Sequence, residues 1–357
     1  MKKNDVQDSK LSRRSFLKYC AGLIIGMGAS AMAQDKQNVQ ISETPKEKAD
    51  SSSTSGTGGT GFVYDERYEE FLQPSGGMWH PECPGRLKSI IKRLNDTGLI
   101  KKLRLFKPEG DPLPYIKMIH PDSHIEKVAQ QTHQEDICRL AVAGVMRGVD
   151  AVFKGEVRNV FCAIRPPGHH AVDFGEYGFC FYNNVAIAAR YAQKKYNIER
   201  VLIADWDFHH GNGTEWAFYE DPSVLFFSTH ALYAFPGTGF PERRGKGKKE
   251  GLNINVPLPA GADDETILKA FTEKLLPVAE RFKPELVIVS AGFDCRKDDR
   301  LGNFKVTDEG IAKLTKLVME IARKHARSRL VSALEGGYNL EGLALAVEAH
   351  LIALLEG

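Results

Sequence analysis

Short apolar runs recur along the chain from about residue 62, and each is followed by glycine or polar residues and then by an amphipathic stretch. Strands that are covered on both faces read as continuous Val, Ile, Leu and Phe runs. Such runs predict strands at 160–164, 201–204, 224–228, 286–290 and 330–334. Helical patterns lie near 183–195, 264–282, 307–326 and 340–356.

This alternation of strand and helix predicts an α/β fold with a mainly parallel sheet and helices on both faces. In sheets of this kind, ligands bind beyond the carboxyl ends of the strands. Functional side chains are therefore expected directly after the predicted strands.

The first sixty residues follow a different pattern. Arg13 and Arg14 precede an apolar stretch that ends in a small-x-small sequence. We expect a twin-arginine signal peptide, read by the Tat translocase and then removed, in a periplasmic or secreted bacterial protein without a stable membrane anchor. A polar Ser/Thr/Gly-rich segment predicts a disordered linker. The expected organisation is signal peptide 1–33, linker 34–61 and catalytic domain 62–357.

Charge and cysteine content exclude several classes of protein. The chain holds 48 Lys/Arg and 46 Asp/Glu, of which residues 1–60 hold nine and six, so the remainder is nearly neutral. That balance argues against a nucleic-acid binder. The six cysteines include no CxxC pair, which excludes a zinc finger or a disulfide framework and predicts mostly buried free thiols.

Acidic and imidazole side chains follow two of the predicted strands. Asp205, Asp207 and His209 come after 201–204, and alternation along a strand would point them to one side. Two buried carboxylates and an imidazole would repel or be desolvated without a cation, so they predict a divalent metal site. Asp294, after 286–290, would complete a three-ligand set with an open position for water.

Two further strand ends carry residues suited to catalysis. His169 and His170 lie in a Pro/Gly loop after 160–164, and Tyr338 follows paired glycines after 330–334. A histidine pair can move a proton and a phenol can donate to an oxyanion, which together with a metal suits amide hydrolysis. No GxSxG occurs, so a serine hydrolase is excluded.

Six motifs together resemble those of one enzyme family. RPPGHHA, GFCFYNN, DWDFHHGNGT, FPGTG, SAGFD and LEGGYN occur in this order between Tyr64 and Leu355. They are similar to the histone deacetylase superfamily, in its class II-like branch, which includes bacterial deacetylase-like amidohydrolases. The resemblance implies a single arginase/deacetylase-type domain. It also implies a zinc-dependent deacetylase acting on N-acetylated lysine-like amines, acetyl-lysine peptides or polyamines.

The resemblance assigns roles to the residues after the strands. Asp207, His209 and Asp294 match the ligands of one zinc ion per chain. His170 matches the general base and acid, and His169 matches the histidine beside it, whose role is mainly electrostatic. Asp205 matches the carboxylate that orients His169, and Asn212 lies behind His170. Tyr338 matches the catalytic tyrosine. Some branches have Asp at the Asn212 position; because an amide does not raise basicity as a carboxylate would, we expect His170 to hold its proton less tightly.

The resemblance also implies a substrate tunnel and structural potassium. The tunnel residues are Gly178, Phe179 and Phe235. One potassium site matches Asp205, Ser228 and Thr229, and a second resembles Phe218, Asp221 and Val224.

Some alternatives stay open. The basic run 243–249 either steers an acidic substrate or is a solvated loop, and Arg86 either lines a product-release channel or forms a structural salt bridge. A non-catalytic acetyl-amine binding protein and a two-metal ureohydrolase are the rival functions. The sequence leaves the physiological substrate and the oligomeric state undetermined.

Overall fold

The computed structural model describes residues 58–74, 76 and 80–357. The predicted signal peptide, 1–33, and most of the predicted linker, 34–61, lie outside the described residues. The strands are β1 (Thr60–Val63), β2 (Arg104–Phe106), β3 (Asn159–Cys162), β4 (Val201–Asp205), β5 (Val224–Ala231), β6 (Asn253–Leu258), β7 (Leu286–Ala291) and β8 (Leu330–Leu334). All pair in parallel in one sheet, ordered β2-β1-β3-β8-β7-β4-β5-β6.

Helices connect these strands. They are α1 (Gly85–Asp96), α2 (Leu113–Ile116), α3 (Asp122–Thr132), α4 (Glu135–Phe153), α5 (Asn184–Tyr196), α6 (Asn212–Phe218), α7 (Asp264–Ala270), α8 (Leu276–Phe282), α9 (Asp308–His325) and α10 (Leu340–Glu356). A π-helical turn, Phe271–Leu275, joins α7 to α8, so the helix predicted at 264–282 contains a bulge. Short 3-10 turns lie at Glu66–Glu69, Leu99–Lys102 and Gly247–Lys249.

Both faces of the sheet are covered, as adjacent residues of β3 show. Val160 and Cys162 contact Gly148 of α4, whereas the ring of Phe161 lies 5.4 Å from that of His350 in α10. Neighbouring residues of a strand point to opposite faces, so α4 and α10 lie on opposite sides of the sheet. The arginase/deacetylase-type α/β fold with a parallel sheet is confirmed.

The five predicted strands are all present, and three others were not predicted. β1 begins at Thr60, so this strand starts two residues before the predicted boundary between the linker and the catalytic domain. Gly61 is needed there because a Cβ would lie 2.9 Å from Phe106 and from Val160. Because the sequence here is polar and rich in glycine, it did not indicate the buried strand β1.

The five cysteines in the described part of the chain are all unpaired. Cys138, Cys162, Cys180 and Cys295 are buried free thiols, and Cys83 is a partly exposed one. The expectation of mostly buried free thiols is therefore confirmed, with four of these five residues buried. No helix in this part of the chain combines the length and the hydrophobicity that crossing a bilayer requires.

Candidate metal-dependent active site

The predicted functional residues lie at the carboxyl edge of four neighbouring strands, β3, β8, β7 and β4. Because the sheet is parallel, the segments that follow these strands emerge side by side. His169 and His170 follow β3, Tyr338 follows β8, and Asp294 follows β7. Asp205 is the last residue of β4.

Asp207, His209 and Asp294 converge on one point. Each offers a ligand atom, and these atoms all lie within 4.8 Å of one another. His209 Nδ1 lies 3.0 Å from Asp294 Oδ2 and 3.2 Å from Asp207 Oδ1. This donor set, two carboxylates and one imidazole, fits a zinc ion with a position left open for water.

The local structure that brings these three residues together differs from the expected strand. β4 ends at Asp205, so Asp207 and His209 lie in a loop and strand alternation does not orient them. Backbone groups fix the loop instead: the His209 N–H donates to Asp207 Oδ1 and the Phe208 N–H to Asp294 Oδ1, both at 2.8 Å.

Charge in this cluster favours a cation. Burial raises the pKa of Asp294, as does the nearby charge of Asp207, to about 7. Burial acts to lower the pKa of His209, but hydrogen bonds to the two carboxylates outweigh it and raise it to about 10. The negative charge of the two carboxylates therefore favours a proton on His209 near pH 7, and a divalent ion would satisfy the same negative charge.

The two adjacent histidines have different partners. His169 Nδ1 lies 2.9 Å from Asp205 Oδ2, and His170 Nδ1 lies 2.8 Å from Asn212 Oδ1. Their rings are 4.0 Å apart between centroids. In each case an oxygen accepts from Nδ1, which leaves Nε2 free to exchange a proton.

The pKa values of the two histidines move in opposite directions. Burial acts to lower the pKa of His169, but the charges of Asp207 and Asp205 raise it well above its ordinary value. Burial and the positive charges of His169 and His209 lower the pKa of His170 well below its ordinary value. Asn212 acts the other way, so weak basicity of His170 comes mainly from burial, not from the amide.

Tyr338 lies in the loop after β8, which packs against the predicted metal ligands. The Gly336 N–H donates to Asp207 Oδ2 at 2.8 Å. A Cβ on Gly336 would lie 2.3 Å from Asp294 Oδ2 and 2.6 Å from Asp207 Oδ2, so only glycine fits there. Burial raises the pKa of the Tyr338 phenol well above its ordinary value, and the phenol therefore remains a proton donor.

Gly178, Phe179 and Phe235, which are predicted to line a substrate tunnel, lie next to His170 and Tyr338. The ring centroid of Phe235 is 5.1 Å from that of His170, and the centroid of Phe179 is 6.0 Å from that of Tyr338. Gly178 has φ +57°, and a Cβ there would meet His170 at 2.4 Å and Phe235 at 2.8 Å.

The first predicted potassium site contains buried oxygen atoms, and a potassium ion there stays a prediction. Asp205 and Ser228 are paired across β4 and β5, and both are fully buried. Thr229 Oγ1 is buried and has no hydrogen-bond partner among the described residues. Buried oxygen atoms around a carboxylate are the donors that hard cations prefer.

The second predicted potassium site, Phe218, Asp221 and Val224, already has a cationic side chain beside its carboxylate. Arg190 Nη2 already lies 2.6 Å from Asp221 Oδ2. Burial lowers the pKa of nearby Lys249 to about 7, against the charge of Asp221, and its Nζ has no hydrogen-bond partner within the described part of the chain. Arg190 therefore already pairs with the Asp221 carboxylate, and a potassium ion at this site stays a prediction.

Glu335, for which no role was predicted, lies behind the histidine pair. Its Oε2 accepts the N–H of Gly168 at 2.7 Å and the N–H of His169 at 3.1 Å. Burial raises the pKa of Glu335 to about 7. Its position directly after a buried strand was the only signal available in the sequence.

The open alternatives for Arg86 and the basic run are resolved in part. Arg86 is fully buried, lies 3.1 Å from Glu82 and donates to the Gly337 carbonyl at 2.7 Å, so it forms the structural salt bridge. In the basic run, Arg243 pairs with buried Glu215 and Lys249 is itself buried. Buried Lys249 therefore fits neither substrate steering nor a solvated loop, whereas Arg244, Lys246 and Lys248 are exposed.

The chain matches the model of the histone deacetylase domain over residues 80–354. The chain belongs to the histone deacetylase family. A probable deacetylase of Archaeoglobus fulgidus is 36% identical over 314 residues, which cover 84% of this chain and 86% of that protein. Histone deacetylase 14, chloroplastic, of Arabidopsis thaliana is 38% identical over 77% of this chain and 73% of its own length.

Solved structures show the same family fold. The crystal structure of the HDA15 HD domain matches this member of the histone deacetylase family with a TM-score of 0.78 and 32% identity. The match covers 84% of this chain and 89% of that one. Family membership places the chain among hydrolytic deacetylases, enzymes that act on an amide bond.

Proposed function

We propose that the chain is a zinc-dependent deacetylase that removes acetyl groups from N-acetylated lysine-like amines or polyamines. The observation that carries this proposal is the meeting of Asp207, His209 and Asp294, whose ligand atoms lie within 4.8 Å of one another. These residues would hold one ion per chain. When bound, the ion would polarise the acetamide carbonyl and acidify a water molecule.

His170 acts as general base and acid in this proposal. Asn212 Oδ1 accepts from its Nδ1 at 2.8 Å and so fixes the tautomer in which Nε2 is unprotonated. The lowered pKa of His170 keeps the ring neutral near pH 7. Nε2 therefore accepts the proton of the attacking water and later delivers it to the leaving amine, which departs as acetate is formed.

Tyr338 and His169 stabilise charge around that step. The phenol of Tyr338 stays protonated and donates a hydrogen bond to the substrate oxygen as negative charge develops on it. His169, held by Asp205, stays positively charged beside His170 and keeps the pKa of that ring low.

The proposed substrate follows from the predicted tunnel and from the predicted export signal. Phe179 and Phe235 flank the reacting residues with aromatic walls, which suit the aliphatic stem of a lysine-like amine. Arg13 and Arg14 support export through the twin-arginine route to the periplasm or beyond. Acetylated amines outside the cytosol are therefore proposed as substrates.

The proposal is tested by assaying acetate release from a panel of substrates with the purified, metal-loaded protein, with and without a chelator. The panel contains N-acetyl-lysine, an acetyl-lysine peptide and N-acetylated diamines, with arginine as a ureohydrolase control. Chelator-sensitive release from at least one acetylated amine is expected. Binding of acetyl-lysine without any release would instead support the non-catalytic binding protein, and urea formation from arginine would support the ureohydrolase.

A further inference from the structure

Asp299 joins the loop after the metal ligand Asp294 to the loop that carries Tyr338. Its Oδ2 accepts the backbone N–H of Tyr338 at 2.7 Å and that of Asn339 at 3.0 Å. Its Oδ1 accepts the N–H of Leu301 at 2.9 Å and that of Gly302 at 3.3 Å. One carboxylate thus receives four backbone donors from two separate segments.

The chain around Tyr338 needs such a support. Gly337, the residue before it, has φ +122°, a conformation that only glycine adopts readily. The backbone at this glycine can adopt many other conformations as well. Side chains hold the neighbouring groups: Asp207 accepts from the Gly336 N–H, and Arg86 donates to the Gly337 carbonyl. Asp299 is the side chain that holds the Tyr338 amide itself.

We infer that Asp299 is a positioning residue, which fixes the backbone from which the Tyr338 phenol reaches the substrate oxygen. This inference rests on the proposed function, because it requires Tyr338 to act in catalysis. A misplacement of about 1 Å in a catalytic group can cost about 10²-fold in rate. Asp299 lies outside the group of residues that could share a metal ion, and two of its hydrogen bonds hold the backbone of Tyr338 and Asn339, so we expect its effect on catalysis to pass through Tyr338.

The test is a double-mutant cycle with Asp299→Asn and Tyr338→Phe, measured on an acetyl-lysine substrate. Asparagine offers one acceptor oxygen and turns an NH₂ group toward backbone donors, so it weakens the hold on the loop. Asp299→Asn is expected to lower kcat about 10–100-fold with KM nearly unchanged. In the Tyr338→Phe background it should lower kcat no further.

Asp298→Asn is the matched control. It makes the same chemical change at the neighbouring position, whose carbonyl, not its carboxylate, accepts from Asn339 Nδ2 at 2.8 Å. Asparagine tolerates the φ of +64° found there. This variant should keep the wild-type kcat, and bound metal should stay equal in all variants.

Three results would overturn the inference: an equal fall of kcat in both backgrounds, no fall in either, or loss of metal from Asp299→Asn. Should Asp299→Asn fail to fold, Asp299→Glu replaces it in the cycle, because it keeps the charge and both acceptor oxygens but displaces them. An inactive wild type would contradict the proposed function itself. An active wild type whose Asp299 variants behave additively with Tyr338→Phe would contradict the positioning role alone.

Discussion

His169 and His170 are adjacent in the sequence but differ in their residue-scale environments. Asp205 backs the first ring and Asn212 backs the second. Burial acts to lower the pKa of both, yet only His169 has carboxylates close enough to outweigh it. The pair therefore provides one charged and one neutral imidazole side by side, which a single sequence motif does not reveal.

Replacing the amide behind His170 by a carboxylate should shift the pH dependence of catalysis. In Asn212→Asp, a negative charge hydrogen-bonded to Nδ1 raises the pKa of His170, typically by about 1–3 units. A general base works only when unprotonated, so the acid limb of kcat/KM should move to higher pH. A pH–rate profile measures this, and an acid limb that stays in place would contradict the role of His170 as the base.

Removing the phenol oxygen should affect the reaction much more than the fold. Tyr338→Phe is expected to lower kcat about 10²–10³-fold, the usual loss for one oxyanion donor. KM and the melting temperature should change little, because the aromatic ring against Phe179 is retained. Steady-state kinetics and thermal denaturation check this, and an unchanged kcat would remove Tyr338 from the mechanism.

At the scale of elements, buried charge connects the catalytic loops to each other. Arg165, on the loop after β3, lies 2.5 Å from Glu82 Oε1, and Arg86, at the start of α1, lies 3.1 Å from the same carboxylate. All three side chains are fully buried. Arg86 then continues to the Gly337 carbonyl beside Tyr338. Glu82 thus connects the loop of His169 and His170, helix α1 and the loop of Tyr338.

Removing that central charge should destabilise the fold. Glu82→Gln leaves two buried guanidinium groups with no carboxylate between them, a change that typically costs about 3–5 kcal/mol in the free energy of unfolding. Chemical denaturation at pH 7 measures this cost. Asp96→Ala, which breaks the exposed pair with Lys92, is the control and should cost less than about 1 kcal/mol.

The pH dependence of the same contribution has a definite sign. Burial acts to raise the pKa of Glu82, but the charges of Arg165 and Arg86 lower it to about 2, below its ordinary value of 4.5. Because the folded-state pKa is depressed, the stabilisation is present above about pH 4.5 and is lost as pH falls toward 2. The stability difference between wild type and Glu82→Gln should shrink across that window, and a constant difference would contradict this account.

At the scale of the whole molecule, the five adjacent strands β3, β8, β7, β4 and β5 could be predicted, whereas the two edge strands and β1 could not. β4, β7 and β8 are continuous apolar runs because both of their faces are buried. β6 contains Asn and Pro and lies at the edge of the sheet, and the three-residue β2 at the other edge has two exposed residues. Such segments lack the hydrophobic signal on which the prediction depends.

The candidate site also contains residues that could be predicted from the sequence and residues that could not. Asp207, His209 and Asp294 could be grouped from sequence because parallel strands bring their carboxyl ends to one edge. Asp299 and Glu335 could not, because their importance depends on which backbone N–H groups meet their carboxylates after folding. Contacts of that kind join distant segments and leave no local pattern in the sequence.

The central claim, one catalytic ion held by Asp207, His209 and Asp294, is tested most directly by titrating metal-free protein with zinc while acetate release is measured. We expect activity to rise in proportion to bound zinc and to reach its maximum at one ion per chain, whereas Asp207→Ala should bind no zinc at that site and remain inactive. Acetate release without metal, full zinc binding by Asp207→Ala, or a requirement for two ions would contradict the account.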